Sequence, residues 1–333
     1  MKLLILNQAE VEQLLPMSDC ITVMTDALMA LANGRVHLPL RMVVRPPEAA
    51  GVLALMPAYV SGERAGYGGG AYGVKIIGVF PGNPAIGKDS HQGAVLLLSG
   101  ETGEPLALMN ASAITAIRTA AMSGVATRVL ARAESGDLAI IGAGVQARSH
   151  LTAMTCVRAI RRVRVASRNI EHSRKFAAEM SAQCAAPIEP VATVEAAVRD
   201  ADLIVTATSS AEPVLKRGWI SHGAHLNVVG ASLPTAREVD TATIAASSLF
   251  VDRRESTVNE SGDYLFALRE GAIGPDHIRA EIGEVLIGAQ AGRINPDEIT
   301  LFKSLGLAVE DLAAAEYVYR QAQRTGAGTW VEF

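Results

Sequence analysis

Residues 138–147 read Leu138-Ala139-Ile140-Ile141-Gly142-Ala143-Gly144-Val145-Gln146-Ala147. A short apolar run leads into a glycine turn, and a helix-compatible stretch follows. This strand, turn and helix arrangement cradles a dinucleotide pyrophosphate: Gly142 permits the tight turn, Gly144 lets the backbone approach the phosphates, and Ala147 takes the third fingerprint position. The segment predicts a dinucleotide-binding domain, although a glycine turn in another α/β domain has the same local pattern. Because the segment lies mid-chain, the flanking regions must supply the substrate chemistry.

Apolar runs recur at a regular spacing after the glycine turn. We predict strands at 138–141, 162–166, 202–207, 225–229 and 248–252, with helices in gaps such as 171–183 and 193–200. Alternating strands and helices imply a mostly parallel sheet. The predicted fold class is therefore α/β, a Rossmann-type doubly wound parallel sheet inserted in a smaller α+β domain.

The chain before the glycine turn has a different pattern. Residues 18–33 predict an amphipathic helix that Ser18 or Asp19 caps and Gly34 ends. We predict strands at 53–57 and 72–77, a turn or flexible loop at 66–70, a β-hairpin at 95–98 and 105–109, and a helix at 113–130. A last helix at 309–323 is long enough to pack back on this region.

Composition limits the class of protein. The 333 residues fit two domains, and 49% hydrophobic against 19% charged residues indicate a large core. The net charge of -4, without a basic block, argues against a nucleic-acid partner. No run approaches the ~20 apolar residues of a spanning helix, and Cys20, Cys156 and Cys184 suggest no disulfide framework. We expect a soluble, cytoplasmic protein without a membrane partner.

The end of the second predicted strand indicates which dinucleotide binds. NAD enzymes usually place an acidic residue there for the ribose 2′-hydroxyl. This chain has Ala166-Ser167-Arg168-Asn169, with no acid, and Arg168 suits a 2′-phosphate with help from Ser167. The sequence predicts a preference for NADPH, with NAD as the alternative. Arg168 as a solvated residue at a helix start is the competing interpretation.

Three basic residues stand among apolar or small neighbours: Arg41, Lys75 and Arg118. Charged groups in such settings are seldom buried without a partner. Either structural carboxylates pair with them or they form a pocket for an anionic substrate. Arginine suits a carboxylate through its two-pronged guanidinium, and lysine adds a point charge or a proton donor.

Other polar residues have weaker signals. His91 could point into the same pocket or make a structural contact. Glu310 and Asp311 fit either a favourable charge at a helix start or a pocket contact. His222 and His225 have a spacing seen in metal sites, but no nearby cysteine or acid completes a set. We predict no metal.

A set of ordered motifs runs along the chain: Leu55-Met56-Pro57-Ala58, Val74-Lys75-Ile76, Ser90-His91-Gln92, Ile114-Thr115-Ala116-Ile117-Arg118-Thr119-Ala120-Ala121, Gly142-Ala143-Gly144-Val145-Gln146-Ala147, Gly230-Ala231-Ser232-Leu233-Pro234, and Phe302-Lys303-Ser304-Leu305-Gly306 followed by Val309-Glu310-Asp311. Through these motifs the chain resembles the ornithine cyclodeaminase/mu-crystallin family over nearly its whole length, nearest the ketimine-reducing branch. The resemblance implies a homodimer with a substrate-binding and dimerisation domain at 1–120 plus 305–333. It also implies an NAD(P)-binding domain at 121–304.

The resemblance also implies roles for particular residues. Arg41, Lys75 and Arg118 would hold a substrate carboxylate, with His91 nearby. The catalytic candidates are Lys75, Arg118 and Ser232. The cofactor-binding candidates are Thr119, Gly142, Gly144, Val145, Gln146, Ala147, Ser167, Arg168, Asn169, Thr208, Gly230 and Ser304.

The chain departs from the cyclodeaminase pattern at two positions. Those members carry an aspartate where this chain has Ser232, and an acid where it has Ala54. A serine is a poor general base at neutral pH. We therefore expect NAD(P)H-dependent reduction of a small cyclic ketimine carboxylate, Δ1-pyrroline-2-carboxylate to L-proline or Δ1-piperideine-2-carboxylate to L-pipecolate. Lys75, or a water near Ser232, would donate the proton. The alternatives are an ornithine cyclodeaminase, an acyclic imino-acid reductase or amino-acid dehydrogenase, and a non-enzymatic NADP-dependent binding protein.

Overall fold

The computed structural model describes residues 2–61 and 70–333. The chain divides into one unit at Met1–Arg118 with Gly306–Phe333 and a second at Thr119–Leu305. Most of the glycine-rich loop expected at 66–70 lies outside the described residues. The strands are β1 (Lys2–Leu6), β2 (Val36–His37), β3 (Met42–Val44), β4 (Val52–Val60), β5 (Ala71–Val79), β6 (His91–Ser99), β7 (Pro105–Asn110), β8 (Asp137–Ile141), β9 (Arg162–Ala166), β10 (Ile188–Pro190), β11 (Leu203–Thr206), β12 (His225–Val228), β13 (Ser248–Val251), β14 (Ile278–Glu281), β15 (Thr300–Lys303) and β16 (Thr329–Glu332).

The α-helices alternate with these strands in the second unit and lie at both ends of the chain in the first. They are α1 (Gln8–Leu14), α2 (Met17–Ala32), α3 (Ala111–Leu130), α4 (Val145–Val157), α5 (Ile170–Met180), α6 (Val194–Val198), α7 (Thr241–Ala246), α8 (Arg254–Glu260), α9 (Gly262–Arg269), α10 (Ile282–Leu286) and α11 (Ala308–Thr325).

The first unit is built on a mixed sheet with the order β16-β1-β7-β6-β5-β4-β2, and β3 also pairs with β4. Helix α11 packs on β4, β5 and β6 and against α2. The opposite face of the sheet carries apolar side chains that are exposed in the single chain, among them Ile5, Leu53, Tyr72 and Ile76. Successive side chains of a strand point to opposite faces, so Tyr72 and Ile76 of β5 share one face, and the register aligns Leu53 of β4 with Gly78 on that same face.

The second unit confirms the predicted doubly wound sheet. Its strand order is β10-β9-β8-β11-β12-β15-β13-β14, and every neighbouring pair is parallel. The order reverses between β8 and β11, which is where such sheets bind ligands beyond the carboxyl ends of their strands. The sequence analysis did not foresee β10, β14 and β15, which are short or follow irregular segments.

The predicted cap of α2 is wrong. The helix begins at Met17 after Pro16, and neither Ser18 nor Asp19 caps it. Proline already holds the backbone angle that a helix start needs. Asp19 instead accepts a hydrogen bond from the Tyr317 hydroxyl at 2.5 Å, which joins α2 to α11.

In the part of the chain that the structure describes, no single helix has the length and hydropathy to cross a membrane. Helices α1 and α2, which meet at a bend of 80°, pass that test only as a pair.

Candidate active site

Lys75 lies in the middle of β5, on the face that packs against α11. Alternation along the strand buries Lys75 with Gly73 and Ile77, and only 2% of the lysine is exposed. Its Nζ atom lies 2.7 Å from Oδ2 of Asp311 in the first turn of α11. The strand pattern that marks an apolar core position therefore places a charged amine beside a buried carboxylate.

Arg118 lies on α3 and is almost fully buried. Its Nε donates to Oδ1 of Asp311 at 3.0 Å, and its Nη1 donates to Oε2 of Glu310 at 2.6 Å. Both acids begin α11, where the helix dipole favours negative charge. Glu310 and Asp311 therefore lie at a helix start and also contact the basic residues Lys75 and Arg118, so both features expected of these acids are present.

Arg41 joins the same cluster through the backbone. Its Nη2 donates to the carbonyl oxygen of Gly306 at 2.9 Å. A Cβ atom on Gly306 would lie only 2.4 Å from Nη1 of Arg118, so glycine permits the guanidinium to pack on this backbone. The structure therefore brings Arg41, Lys75 and Arg118 together with Glu310 and Asp311. We call these five residues the basic cluster.

The electrostatics of the basic cluster suit an anion. Burial lowers the pKa of Lys75 to about 8, although the Asp311 carboxylate raises it. Lys75 is therefore mostly protonated at neutral pH. Burial raises the pKa of Asp311, but Arg118 and Lys75 more than offset this and leave it below its usual value. Asp311 thus holds Lys75 and Arg118 side by side as cations, and this pair, with Arg41 beside it, suits the carboxylate of a substrate.

His91 begins β6 and stays exposed. Its Nδ1 lies 3.0 Å from the Ser90 hydroxyl oxygen. Desolvation lowers the pKa of His91, and the charges of Lys75 and Arg118 lower it further. The imidazole is therefore neutral at neutral pH and lies within the electrostatic reach of the basic cluster.

The predicted phosphate-binding turn has the geometry of its fingerprint. Gly142 has φ +113°, and a Cβ atom there would lie 2.4 Å from the carbonyl oxygen of Ala207, so only glycine fits. Gly144 is the N-cap of α4 and offers no side-chain hydrogen bond to the helix amides. A Cβ atom on Gly144 would meet no atom within 4 Å. The open space in front of uncapped helix amides fits a dinucleotide pyrophosphate.

Residues 167–169 follow β9. Asn169 caps α5 by accepting from the Glu171 amide at 3.0 Å, and the Ser167 hydroxyl donates to the Asn169 carbonyl at 2.7 Å. Arg168 is exposed. Two of these three side chains thus make local contacts, which leaves Arg168 as the charged group presented at the strand end.

The remaining cofactor candidates lie at other strand ends or on α3. Thr119 is mostly buried on α3, and Ser304, after β15, has a buried hydroxyl oxygen without a hydrogen-bond partner among the described residues. Thr208 and Gly230 both donate to the Glu238 carboxylate. Ser232 is exposed in the loop after β12.

Sequence reasoning missed the buried carboxylates Glu238 and Asp263 and the buried Lys303. A signal was present for Lys303, which follows Leu301-Phe302 in an apolar run, as Lys75 follows Val74. Glu238 and Asp263 do not follow an apolar run of this kind.

The model of the ornithine cyclodeaminase/mu-crystallin family matches residues 1–326. The chain belongs to this family. It is 40% identical over 296 residues to ketimine reductase mu-crystallin of Mus musculus, which covers 87% of this chain and 88% of that protein.

Two solved structures share the whole fold. One is Thermococcus litoralis Δ1-pyrroline-2-carboxylate reductase in complex with NADH and L-proline, with 40% identity, a TM-score of 0.94, and coverage of 98% of this chain and 99% of that one. The other is an archaeal alanine dehydrogenase dimer with bound NAD, with 34% identity, a TM-score of 0.91 and full coverage of both chains.

Proposed function

We propose that this protein uses NADH or NADPH to reduce a small cyclic ketimine carboxylate, Δ1-pyrroline-2-carboxylate to L-proline or the six-membered homologue to L-pipecolate. The observation that carries the proposal is the basic cluster, in which the buried Lys75 and Arg118 share the Asp311 carboxylate, in a chain whose turn at Gly142 and Gly144 fits a dinucleotide. The similarity to a reductase that binds NADH and L-proline supports it, because proline is the product of this reduction.

In this proposal the basic cluster binds and orients the substrate. Arg41 and Arg118 hold the carboxylate, and Glu310 and Asp311 fix the Arg118 guanidinium so that its remaining N–H groups need no rearrangement. The cofactor supplies the hydride. Lys75 transfers one proton from Nζ to the imine nitrogen, so the C=N bond becomes CH–NH and the lysine becomes neutral until water reprotonates it. A pKa of about 8 suits this donor at neutral pH.

We infer that the nucleotide unit holds the cofactor through the turn and the strand ends. Gly142, Gly144, Val145 and Gln146 would face the pyrophosphate, and the fully buried Ala147 would allow α4 to pack closely against the strands. Thr119, Thr208, Gly230 and Ser304 would contact the rest of the dinucleotide. The exposed Arg168, with Ser167 and Asn169, supports a preference for NADPH, because no acid at this strand end meets a 2′-hydroxyl.

The proposed substrate has an uncharged ring rather than the cationic tail of ornithine. Ala54 lies on the same face of the sheet as Lys75 and is buried, so the position offers no carboxylate to an ammonium group. Ser232 likewise brings no negative charge. A buried ammonium without a partner carries a large desolvation cost, which disfavours ornithine.

We further propose that residues 1–120 plus 305–333 form the substrate-binding and dimerisation domain and that the enzyme is a cytoplasmic homodimer. The outward apolar face of the first unit supports dimerisation, because monomers rarely leave such a face exposed. The free thiols of Cys20, Cys156 and Cys184 support a reducing compartment.

The reaction is tested by incubating the protein with NADH or NADPH and each of the two ring substrates. Cofactor oxidation is monitored through the loss of the reduced nicotinamide absorbance, and the amino acid formed is identified. Turnover of either ring supports the proposal. The similarity to alanine dehydrogenase favours an open-chain imino acid as the second candidate. Turnover of pyruvate with ammonia but of neither ring would replace the first candidate by the second. Ammonia release from ornithine would indicate a cyclodeaminase.

A further inference from the structure

Glu238 joins the ends of two neighbouring strands in the second unit. The carboxylate is fully buried and accepts four hydrogen bonds. Its Oε1 accepts from the amide and hydroxyl of Thr208 at 2.7 and 2.8 Å, and its Oε2 accepts from the Thr206 hydroxyl at 2.8 Å and the Gly230 amide at 2.5 Å. Thr206 ends β11, and Gly230 follows β12. Burial raises the pKa of Glu238, and the charge of Lys303 and the hydrogen bonds from Thr208 oppose that rise. The two backbone N–H groups, one at each oxygen, can only donate.

Gly230 allows these two segments to approach closely. A Cβ atom at this position would lie 2.1 Å from the carbonyl oxygen of Thr208 and 2.5 Å from Oε1 of Glu238. No larger residue fits without moving the backbone. The segment after β12 is therefore fixed against the segment after β11, with the carboxylate between them.

Asp263 and Lys303 hold the same region from its other side. Oδ1 of Asp263 accepts from the Glu238 and Val239 amides at 2.8 and 3.1 Å, and its Oδ2 lies 3.2 Å from Nζ of Lys303. Lys303 donates to the carbonyl oxygens of Ala231 at 2.6 Å and Val228 at 3.3 Å. We call Glu238, Asp263 and Lys303 the charge triad.

The charge triad is costly as a purely structural device. Removing three ions from water is unfavourable, and an apolar trio of similar volume often stabilises a core as well or better. Its hydrogen bonds go mainly to backbone atoms and threonines of residues 206–208 and 228–231. These segments lie beyond the carboxyl ends of parallel strands, where sheets of this type bind dinucleotides.

We propose that the charge triad positions the 206–208 and 228–232 segments for cofactor binding, so that Glu238 and Lys303 act on the dinucleotide through Thr208, Gly230 and Ser232. Glu238 fixes the amide of Gly230, and Lys303 fixes the carbonyl of Ala231. Gly230 and Ala231 directly precede Ser232. The loop is therefore held through a backbone N–H donor at Gly230 and a backbone carbonyl acceptor at Ala231. The inference rests on the dinucleotide binding of the proposed function.

The test replaces Glu238 by glutamine, which keeps the volume. Whichever way the amide turns, its NH2 group faces a backbone N–H that cannot reverse, that of Thr208 or that of Gly230. We expect the Kd for NADH, measured by fluorescence, to rise about tenfold or more. We also expect amide hydrogen exchange at Thr208 and Gly230 to accelerate in the protein without cofactor.

Asp202→Asn is the matched control. Asp202 lies at the other end of the same sheet, where its Oδ2 accepts from the amides of Gly136 and Asp137 at 2.9 and 3.1 Å. The substitution removes the charge of a carboxylate that fixes two backbone amides, and when the new carbonyl oxygen faces those amides, the NH2 group faces the Arg132 guanidinium, which donates to Oδ1 at 2.8 Å. We expect it to lower the Tm as Glu238→Gln does but to leave the Kd for NADH within about twofold of wild type.

An unchanged Kd in Glu238→Gln, or an equal rise in Asp202→Asn, would overturn the positioning role. If Glu238→Gln does not fold, Thr206→Val decides, because it removes one hydroxyl donor and keeps the carboxylate. We then expect a rise in Kd of about threefold, and no rise would overturn the inference. These measurements need no imine substrate. A wild type that binds NADH but reduces no ketimine would therefore contradict the proposed reaction without contradicting the positioning role of the charge triad.

Discussion

The Nζ atom of Lys75 lies 2.7 Å from Oδ2 of Asp311, and both side chains are buried. The other carboxylate oxygen of Asp311 accepts from Arg118 at 3.0 Å. One carboxylate therefore sets the geometry of both cations and the protonation of the lysine. Burial alone would lower the pKa of Lys75 further, and Asp311 opposes that shift.

Asp311→Asn tests this relationship through the pH profile. Among the described residues, the Asp311 carboxylate raises the pKa of Lys75, whereas Arg118 and Arg41 lower it, and the Lys75 charge also acts on the neighbouring His91. Loss of the carboxylate lowers the pKa of Lys75 below about 8, so the fraction of protonated donor at neutral pH falls. We expect the basic limb of kcat/KM against pH to move down by about one unit or more.

Glu310→Gln is the control for that profile. Glu310 binds Arg118 from the same helix turn, and Asp311 remains to pair with Lys75. We expect the KM for the imine to rise while the basic limb stays in place. If the basic limb of the pH profile moved equally in both variants, or in neither, Lys75 would not be the proton donor that titrates.

Gly144→Ala separates cofactor binding from folding. The added Cβ meets no protein atom within 4 Å, and the backbone there has φ -86°, which alanine adopts freely. The Tm should therefore stay the same or rise slightly. The Cβ enters the space proposed for the pyrophosphate, so we expect the Kd for NADH to rise about tenfold or more.

Gly142→Ala, unlike Gly144→Ala, should lower the stability of the fold. Its φ of +113° and the 2.4 Å approach to the Ala207 carbonyl oxygen leave no room for a side chain. We expect the Tm to fall by several degrees. A Gly144→Ala protein that bound NADH with unchanged affinity would contradict the assignment of the turn.

The strand, the turn at those two glycines and the helix that follows could be predicted because this arrangement has a local sequence pattern. The sequence also predicted that Arg41, Lys75 and Arg118 act together, since each stands alone among apolar neighbours. The pairing with Glu310 and Asp311 could not be derived from the sequence, because the partners are about 190 residues from Arg118. The charge triad could not be predicted for the same reason, because its hydrogen bonds join strand ends that only the folded parallel sheet brings together.

Arg168→Ala tests the proposed preference for NADPH. Removing an exposed guanidinium from the end of β9 removes a charge partner for the 2′-phosphate. We expect kcat/KM with NADPH to fall about tenfold and that with NADH to stay within about twofold. Arg174→Ala, on α5 and paired with Glu171, is the control. An unchanged ratio of the two cofactors in Arg168→Ala would show that Arg168 is only a solvated residue.

Ile76→Lys tests the proposed dimer. The side chain lies on the outward apolar face of the first unit and is 41% exposed in the single chain. A charge in an apolar interface without a partner is unfavourable, so light scattering should show a shift from dimer to monomer. Ile294→Lys in the second unit, at 68% exposed, should not change the mass. A wild-type monomer would contradict the proposed dimer, and a dimer in both variants would place the interface elsewhere.

The most direct test is proline formation from Δ1-pyrroline-2-carboxylate by the wild type and by Arg118→Lys, with the Kd for NADH measured in both. Lysine keeps the charge but loses the two-pronged guanidinium and its contacts with Glu310 and Asp311. We predict proline from the wild type, a loss in kcat/KM of about 100-fold in the variant, and the same Kd for NADH. No proline from the wild type, or equal kcat/KM in the two proteins, would contradict the account.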